Sequence, residues 1–271
     1  MNRIFPLALI TYREGIRNRS VYGIVLLSLF VLGLNILVAG FFMRDIGKVT
    51  VDMNLSALSI SGLLLIFFVA INLIAKDIDK KTIHLVLSKP LSRVEYIWGK
   101  YLGILFFVTV SLFILFILSC LTVLSLESMH AGYFSEFAWP VFFVACFFIL
   151  VKLAVLSAVV VFFSTVTTSS FITLIFSVCT YIVGGTIEEV VFYLKSGSDV
   201  GEVPLSDSLL QFIEMVSYLI PNLSVFDFKI EAAHGHAIAA ARTAMSLGYG
   251  FVYILVLLLL ASLIFRRREF N

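Results

Sequence analysis

Residues 140–163 read PVFFVACFFILVKLAVLSAVVVFF, with Lys152 as the only charged side chain. A hydrocarbon core about 30 Å thick takes roughly 20 apolar residues to span as a helix, and this run is long enough. Its apolar residues are continuous rather than alternating, which excludes a barrel strand. In lipid its backbone groups must therefore pair within the segment, as a helix. Working outward, five more runs of spanning length lie at 20–42, 55–75, 101–126, 170–191 and 244–265. The chain is 61% hydrophobic and 13% charged, and its mean hydropathy of +1.09 exceeds what a water-soluble domain buries. The fold expected is an all-α membrane protein of six transmembrane helices in a single domain, 1–271, without internal repeats or low-complexity linkers.

The distribution of Lys and Arg sets the orientation. Arg3, Arg13, Arg17 and Arg19 precede the first run, Lys76, Lys80, Lys81, Lys89, Arg93 and Lys100 lie between the second and third, and Arg266, Arg267 and Arg268 follow the sixth. These thirteen fall on one side, with the uncharged loop 164–169; Arg44, Lys48, Lys195, Lys229 and Arg242 fall on the other. The positive-inside rule puts both termini in the cytoplasm. Arg3 with the short apolar run 4–10 mimics a signal peptide, but Pro6 interrupts that run and no small-residue cleavage site follows, so the segment is expected to be retained. Phe5, Leu9, Tyr12 and Ile16 recur at helical spacing with Arg13, Glu14 and Arg17 between them. That pattern reads as an amphipathic helix at the cytoplasmic interface, or as an extension of the first span.

Between the second and third runs, residues 75–103 read AKDIDKKTIHLVLSKPLSRVEYIWGKYLG. A short helix over 79–87 should stop near Lys89, because Pro90 disfavours helical geometry in the residue before it. Ser92 with Glu95 forms a capping box that opens the third span, and Tyr96, Trp98 and Lys100 follow where interfacial anchors are expected. The segment reads either as a docking knob or as a charge cluster that only fixes topology. On the other face, residues 208–220 carry Leu209, Phe212, Ile213, Val216, Leu219 and Ile220 at helical spacing before Pro221, a short outer-surface helix between spans five and six.

The chain lacks the Gly-rich Walker phosphate loop, zinc-protease spacing and a nucleophile elbow. It is therefore not expected to be an enzyme or to hold a cofactor or metal. His234 and His236, at spacing two, read as incidental. Cys120, Cys146 and Cys179 lie inside apolar runs and read as packing residues. Lys152 is the residue local structure does not explain, since a Lys at mid-membrane costs about 2.5–3.5 kcal/mol. Thr180 and Tyr181 match its depth, and Glu188 lies about two turns further out; a charged pathway and a bundle-stabilising pair are both open readings. Asn35 fits an interhelical amide contact.

The run Asp77 through Thr82, then Ser88-Lys89-Pro90-Leu91-Ser92-Arg93, Gly99-Lys100 and Gly103, resembles the permease subunits of type-2 ABC transporters. Asp52 to Leu55 at the start of span two and Tyr218-Leu219-Ile220-Pro221-Asn222-Leu223 before span six extend the likeness over nearly the whole chain. Two positions depart from that pattern: Asp77 stands where Glu is frequent, and Lys81 where Gly is. The resemblance implies a bacterial inner-membrane exporter subunit that pairs with a second permease copy. Two separate ABC ATPases would carry ATP and magnesium, and no nucleic acid would be involved. It also implies a coupling helix between spans two and three that docks on the ATPase through Asp77, Lys81, Thr82, His84, Pro90, Ser92 and Arg93. A non-transporting scaffold for a cytoplasmic partner and an ion-coupled transporter using Lys152 and Glu188 are the alternatives.

Overall fold

The computed structural model describes residues 4–39, 45–74, 92–134, 137–197, 215 and 220–267. They are helical without strands: α1 (Ile4–Ile16), α2 (Arg19–Ala39), α3 (Ile46–Ile74), α4 (Arg93–Met129), α5 (Trp139–Val166), α6 (Ser170–Gly197), the short α7 (Lys229–His234) and α8 (Ala240–Arg267). Six of these, α2 to α6 and α8, are long and apolar enough to cross a membrane. The helix expected over 79–87 lies outside the described residues, as does the outer helix over 208–220 apart from Met215 and Ile220.

Each span includes the apolar run read from sequence wherever that run is described, but several helices extend beyond it. α3 begins at Ile46, so Asp52, expected at the start of the span, lies inside a formed helix with its side chain exposed. Helix formation continues because each added residue gains a backbone bond once a nucleus exists; a charged side chain on the outer face does not stop it. α4 begins at Arg93 because Ser92, in extended conformation, accepts from Glu95 N while the Glu95 carboxylate accepts from Ser92 N. This is the capping box read from sequence. Within α3, residues Ile66–Ala70 form a π-helical turn.

α3 and α5 form the centre of the bundle. In their most apolar stretches 67% and 72% of residues are buried, against 22–28% for α2, α6 and α8. A Cβ at Gly62 of α3 would collide with Leu153 of α5, so that glycine permits their close approach. Polar pairs join the outer helices to this centre. Ser28 and Ser61 hydroxyls lie 2.6 Å apart, and Asn35 donates to Thr50 O, the interhelical amide contact expected. Asn54 Oδ1 accepts from Ser119 and Thr122 at 3.0 and 2.7 Å. The three cysteines are free thiols.

α1 packs on the bundle through a stripe other than the apolar one read from sequence. Phe5 and Ile16, from the stripe read as membrane-facing, are exposed, and Tyr12 leans on Phe106 with ring centroids 4.5 Å apart. The buried stripe is Leu7, Thr11 and Gly15, and it lies against α4. A Cβ at Gly103 would stand 2.6 Å from both Ala8 O and Thr11 Cβ, and one at Gly99 would stand 2.7 Å from Leu7 Cδ2. The small side chains thus let α1 lie backbone to backbone on the start of the third span, as well as at the interface. Gly103→Leu is expected to destabilise the folded protein by about 1–3 kcal/mol through overpacking. Gly23→Leu, where nothing lies within 4 Å, should leave the thermal unfolding midpoint in detergent near wild type.

Candidate functional site

Of the residues assigned to docking, Asp77, Lys81, Thr82, His84 and Pro90 lie outside the described residues, whereas Ser92 and Arg93 are described. The structure describes the two helix ends that segment 75–91 joins. Arg93 Nη1 donates to Phe265 O at 3.1 Å and Arg266 O at 3.0 Å, joining the start of α4 to the last turn of α8. Such carbonyls lack intrahelical donors, and a basic side chain satisfies them and complements the helix dipole. Lys100 is 4% exposed rather than an interfacial anchor; its Nζ donates to Leu73 O at 2.8 Å, one residue short of the end of the described part of α3. Glu14 of α1 lies 3.9 Å from the same ammonium. Tyr96, also expected at the interface, is fully buried and stacks on Phe265 with centroids 5.6 Å apart. Two cations and one aromatic therefore fasten α1, α3, α4 and α8 together at the two ends of segment 75–91.

A second polar cluster lies on the other side of the bundle. Residues 220–239 link α6 to α8, and part of this segment is buried among the spans: Leu223, Phe226, Phe228 and Ala232 are at most 1% exposed. Non-helical backbone at membrane depth is tolerated only inside protein or beside water, and here backbone groups of Asn222, Leu223 and Val225 find partners on the spans. Leu223 N donates to Gly184 O at 2.7 Å, and Asn222 N donates to Tyr249 Oη at 2.8 Å. Ser246 Oγ donates to Val225 O at 3.3 Å. Gly184 is required there, because a Cβ would collide with Pro221 O. Phe228 packs on Phe148 at 4.6 Å, and the Arg242 guanidinium covers its ring at 4.7 Å while pairing with Glu231.

Lys152 and Glu188 both meet this segment, but not each other. The Lys152 ammonium, about 20 Å along α5 from Trp139 at 1.5 Å per residue, lies 3.5 Å from Asp227 Oδ2 and 5.7 Å from the centroid of the Tyr181 ring. Glu188, the carboxylate within reach by depth, accepts instead from Ser224 Oγ at 2.6 Å and Asn222 Nδ2 at 3.3 Å. Tyr181 was legible from its matching depth. Asp227, Asn222 and Ser224 were not, since a loop carries no periodicity to show that it turns inward; the Pro221-Asn222 pair after an apolar stretch is the one signal of the turn. Tyr181 also meets Phe67, in the π-helical turn of α3, edge to face at 6.3 Å. His234 and His236 stack at 5.7 Å, and no group of metal-binding side chains occurs among the described residues.

Fold and site together define a polytopic helical membrane protein with a fastened base on one face and an inserted polar segment from the other. The family described as ABC-2 family transporter protein matches residues 6–270. The chain belongs to that family and is a membrane permease component of an ABC transporter, a class that works with ABC ATPase subunits. A search of curated proteins gives no match.

Removal of the Asp227 carboxylate leaves the Lys152 ammonium buried without its counterion. Asp227→Ala is therefore expected to destabilise the protein by about 2 kcal/mol, and Lys152→Met in the same chain should restore part of the loss. Thermal unfolding midpoints of the two variants in detergent check this, and an Asp227→Ala midpoint equal to wild type would contradict the pairing.

Proposed function

We propose that this chain is the membrane-spanning half of an ATP-driven exporter, paired with a second permease copy and with ABC ATPases held on its cytoplasmic face. The single observation that supports this reading best is the fastened base of segment 75–91. A docking element can move spans only if force on it is not absorbed at its ends, and Arg93 and Lys100 tie those ends to α8, α3 and α1. ATP-driven approach of the ATPases would then tilt the fastened helices as a rigid body. In this reading Asp77, Lys81, Thr82, His84 and Pro90 touch the ATPase, and Ser92 starts α4 at a fixed point. Arg93 and Lys100 act as positioning residues.

The excess of Lys and Arg on the terminal side supports a cytoplasmic location for both ends in a bacterial inner membrane. Exposed apolar side chains along α2, α6 and α8, such as Leu26, Phe176 and Phe251, offer area for lipid and for the second copy. ATP and magnesium belong to the partner, and this chain supplies the path. On the other face, withdrawal of residues 220–239 would break the Lys152–Asp227 and Glu188–Ser224 contacts and open the bundle outward.

Docking and transmission separate by mutation. Asp77→Lys is expected to abolish co-purification of the ATPase while the permease still inserts in the membrane. Arg93→Ala and Lys100→Met should retain the ATPase but lower the hydrolysis rate of the reconstituted complex about tenfold. Recovery of the ATPase with Asp77→Lys at wild-type stoichiometry would overturn the docking assignment.

A further inference from the structure

Beside the Lys100 contacts, the elbow between α1 and α2 faces the end of α3 across an open polar pocket of about 340 Å³ lined by Glu14, Arg17, Asn18, Asn72 and Leu73. We propose that it binds the headgroup of an anionic phospholipid, with Arg17 on the phosphate and the Asn18 and Asn72 amides as further donors.

The helical period of α1 places three stripes side by side at 100° per residue. Leu7, Thr11 and Gly15 are buried on α4. Phe5 and Ile16 form an exposed apolar stripe, and Arg13 and Arg17 form an exposed basic one. A helix so divided lies with its apolar stripe among acyl chains and its cations at headgroup level. The pocket lies beside this helix, and its lining residues Arg17 and Asn18 directly precede α2. Arg13, Arg17 and Arg19 make no ion pair with any described residue, whereas the one acid in the lining, Glu14, already faces the buried Lys100 ammonium. Asn18 uses its Oδ1 to accept from Ser20 N, which leaves its NH2 group to donate. Asn72 Nδ2 donates one hydrogen to Phe68 O and keeps a second. A guanidinium with two neutral donors suits a phosphate diester, and basic pockets at the membrane surface bind anionic headgroups. A hydroxyl-bearing headgroup would find an acceptor in Glu14. Because Leu73 and Glu14 also hold Lys100, an occupied cavity would stiffen the base of segment 75–91 from its lipid side.

The test uses the full-length permease without ATPase, so its outcome is independent of the coupling reading. Purified protein is placed in nanodiscs of phosphatidylcholine with and without about 30% phosphatidylglycerol, which gives a bacterial-like anionic surface. Thermal unfolding and native mass spectrometry of retained lipid are then read. Phosphatidylglycerol should raise the unfolding midpoint and remain bound. Arg17→Gln should weaken retention about fivefold, the effect of one cation near an anionic surface, and Asn18→Ala with Asn72→Ala should weaken it without any change of charge. Arg267→Gln, which removes a cation outside the cavity lining, should leave retention unchanged. Equal loss with Arg267→Gln, or no loss with the asparagine pair, would reduce the effect to general surface charge and overturn the site. Stabilisation by inorganic phosphate alone would assign the cavity to a free anion and overturn the lipid.

Discussion

The Lys100 ammonium is the interaction on which the terminal side of this bundle depends. It is almost fully buried and donates to a carbonyl near the end of α3 from a helix that begins at Arg93. A buried cation without partners is among the most destabilising features a protein can hold. The site is tolerable because Leu73 O, Glu14 and the Tyr96 ring surround it. Those same contacts oblige α1, α3 and α4 to meet at one point. Arg93 adds α8 through two carbonyls of its last turn. Charge satisfaction and mechanical connection are thus one arrangement, and it stands where segment 75–91 joins the bundle.

The opposite face obeys the same constraint with different chemistry. Residues 220–239 bring irregular backbone among apolar helices, and each buried donor or acceptor named above finds a partner on α5, α6 or α8. Aromatic packing of Phe226 and Phe228 supplies the apolar part of the seal. Between the two faces, close approaches such as Gly62 with Leu153 and the hydroxyl and amide pairs of α2, α3 and α4 join the spans around a core of large apolar side chains. Lipid gives helices no hydrophobic reason to associate, so close packing and interhelical hydrogen bonds carry that part.

The six spans were legible because a bilayer demands continuous apolar length, and that demand leaves little freedom to the sequence. Their ends were less legible. Asp52 looked like a boundary, yet a charge on an exposed helix face does not end a helix that already has its backbone bonds. The start of α4 was readable to the residue, since a capping box is a local device of Ser92 and Glu95. Lys152 announced itself by its unfavourable depth, but its partner Asp227 could not be found from spacing, because the contact depends on a loop turning inward. Arg93 and Lys100 were picked out by motif and position. Their structural roles were not readable, since each is defined by carbonyls of helices distant in sequence. The face of α1 that packs on α4 was not readable for a related reason: periodicity reports apolar residues, whereas this contact also depends on residues small enough to let two backbones approach.

The proposed coupling requires the ends of α3 and α4 to move as one body. Spin labels at positions 72 and 98, whose native side chains are both at least partly exposed, report that junction by pulsed electron resonance in the reconstituted complex with its ATPase. A distance between them that stays constant on addition of a non-hydrolysable ATP analogue, while the distance from position 72 to position 171 on α6 changes, is the result expected. Separation of positions 72 and 98 on nucleotide binding would contradict the rigid junction and the coupling built on it.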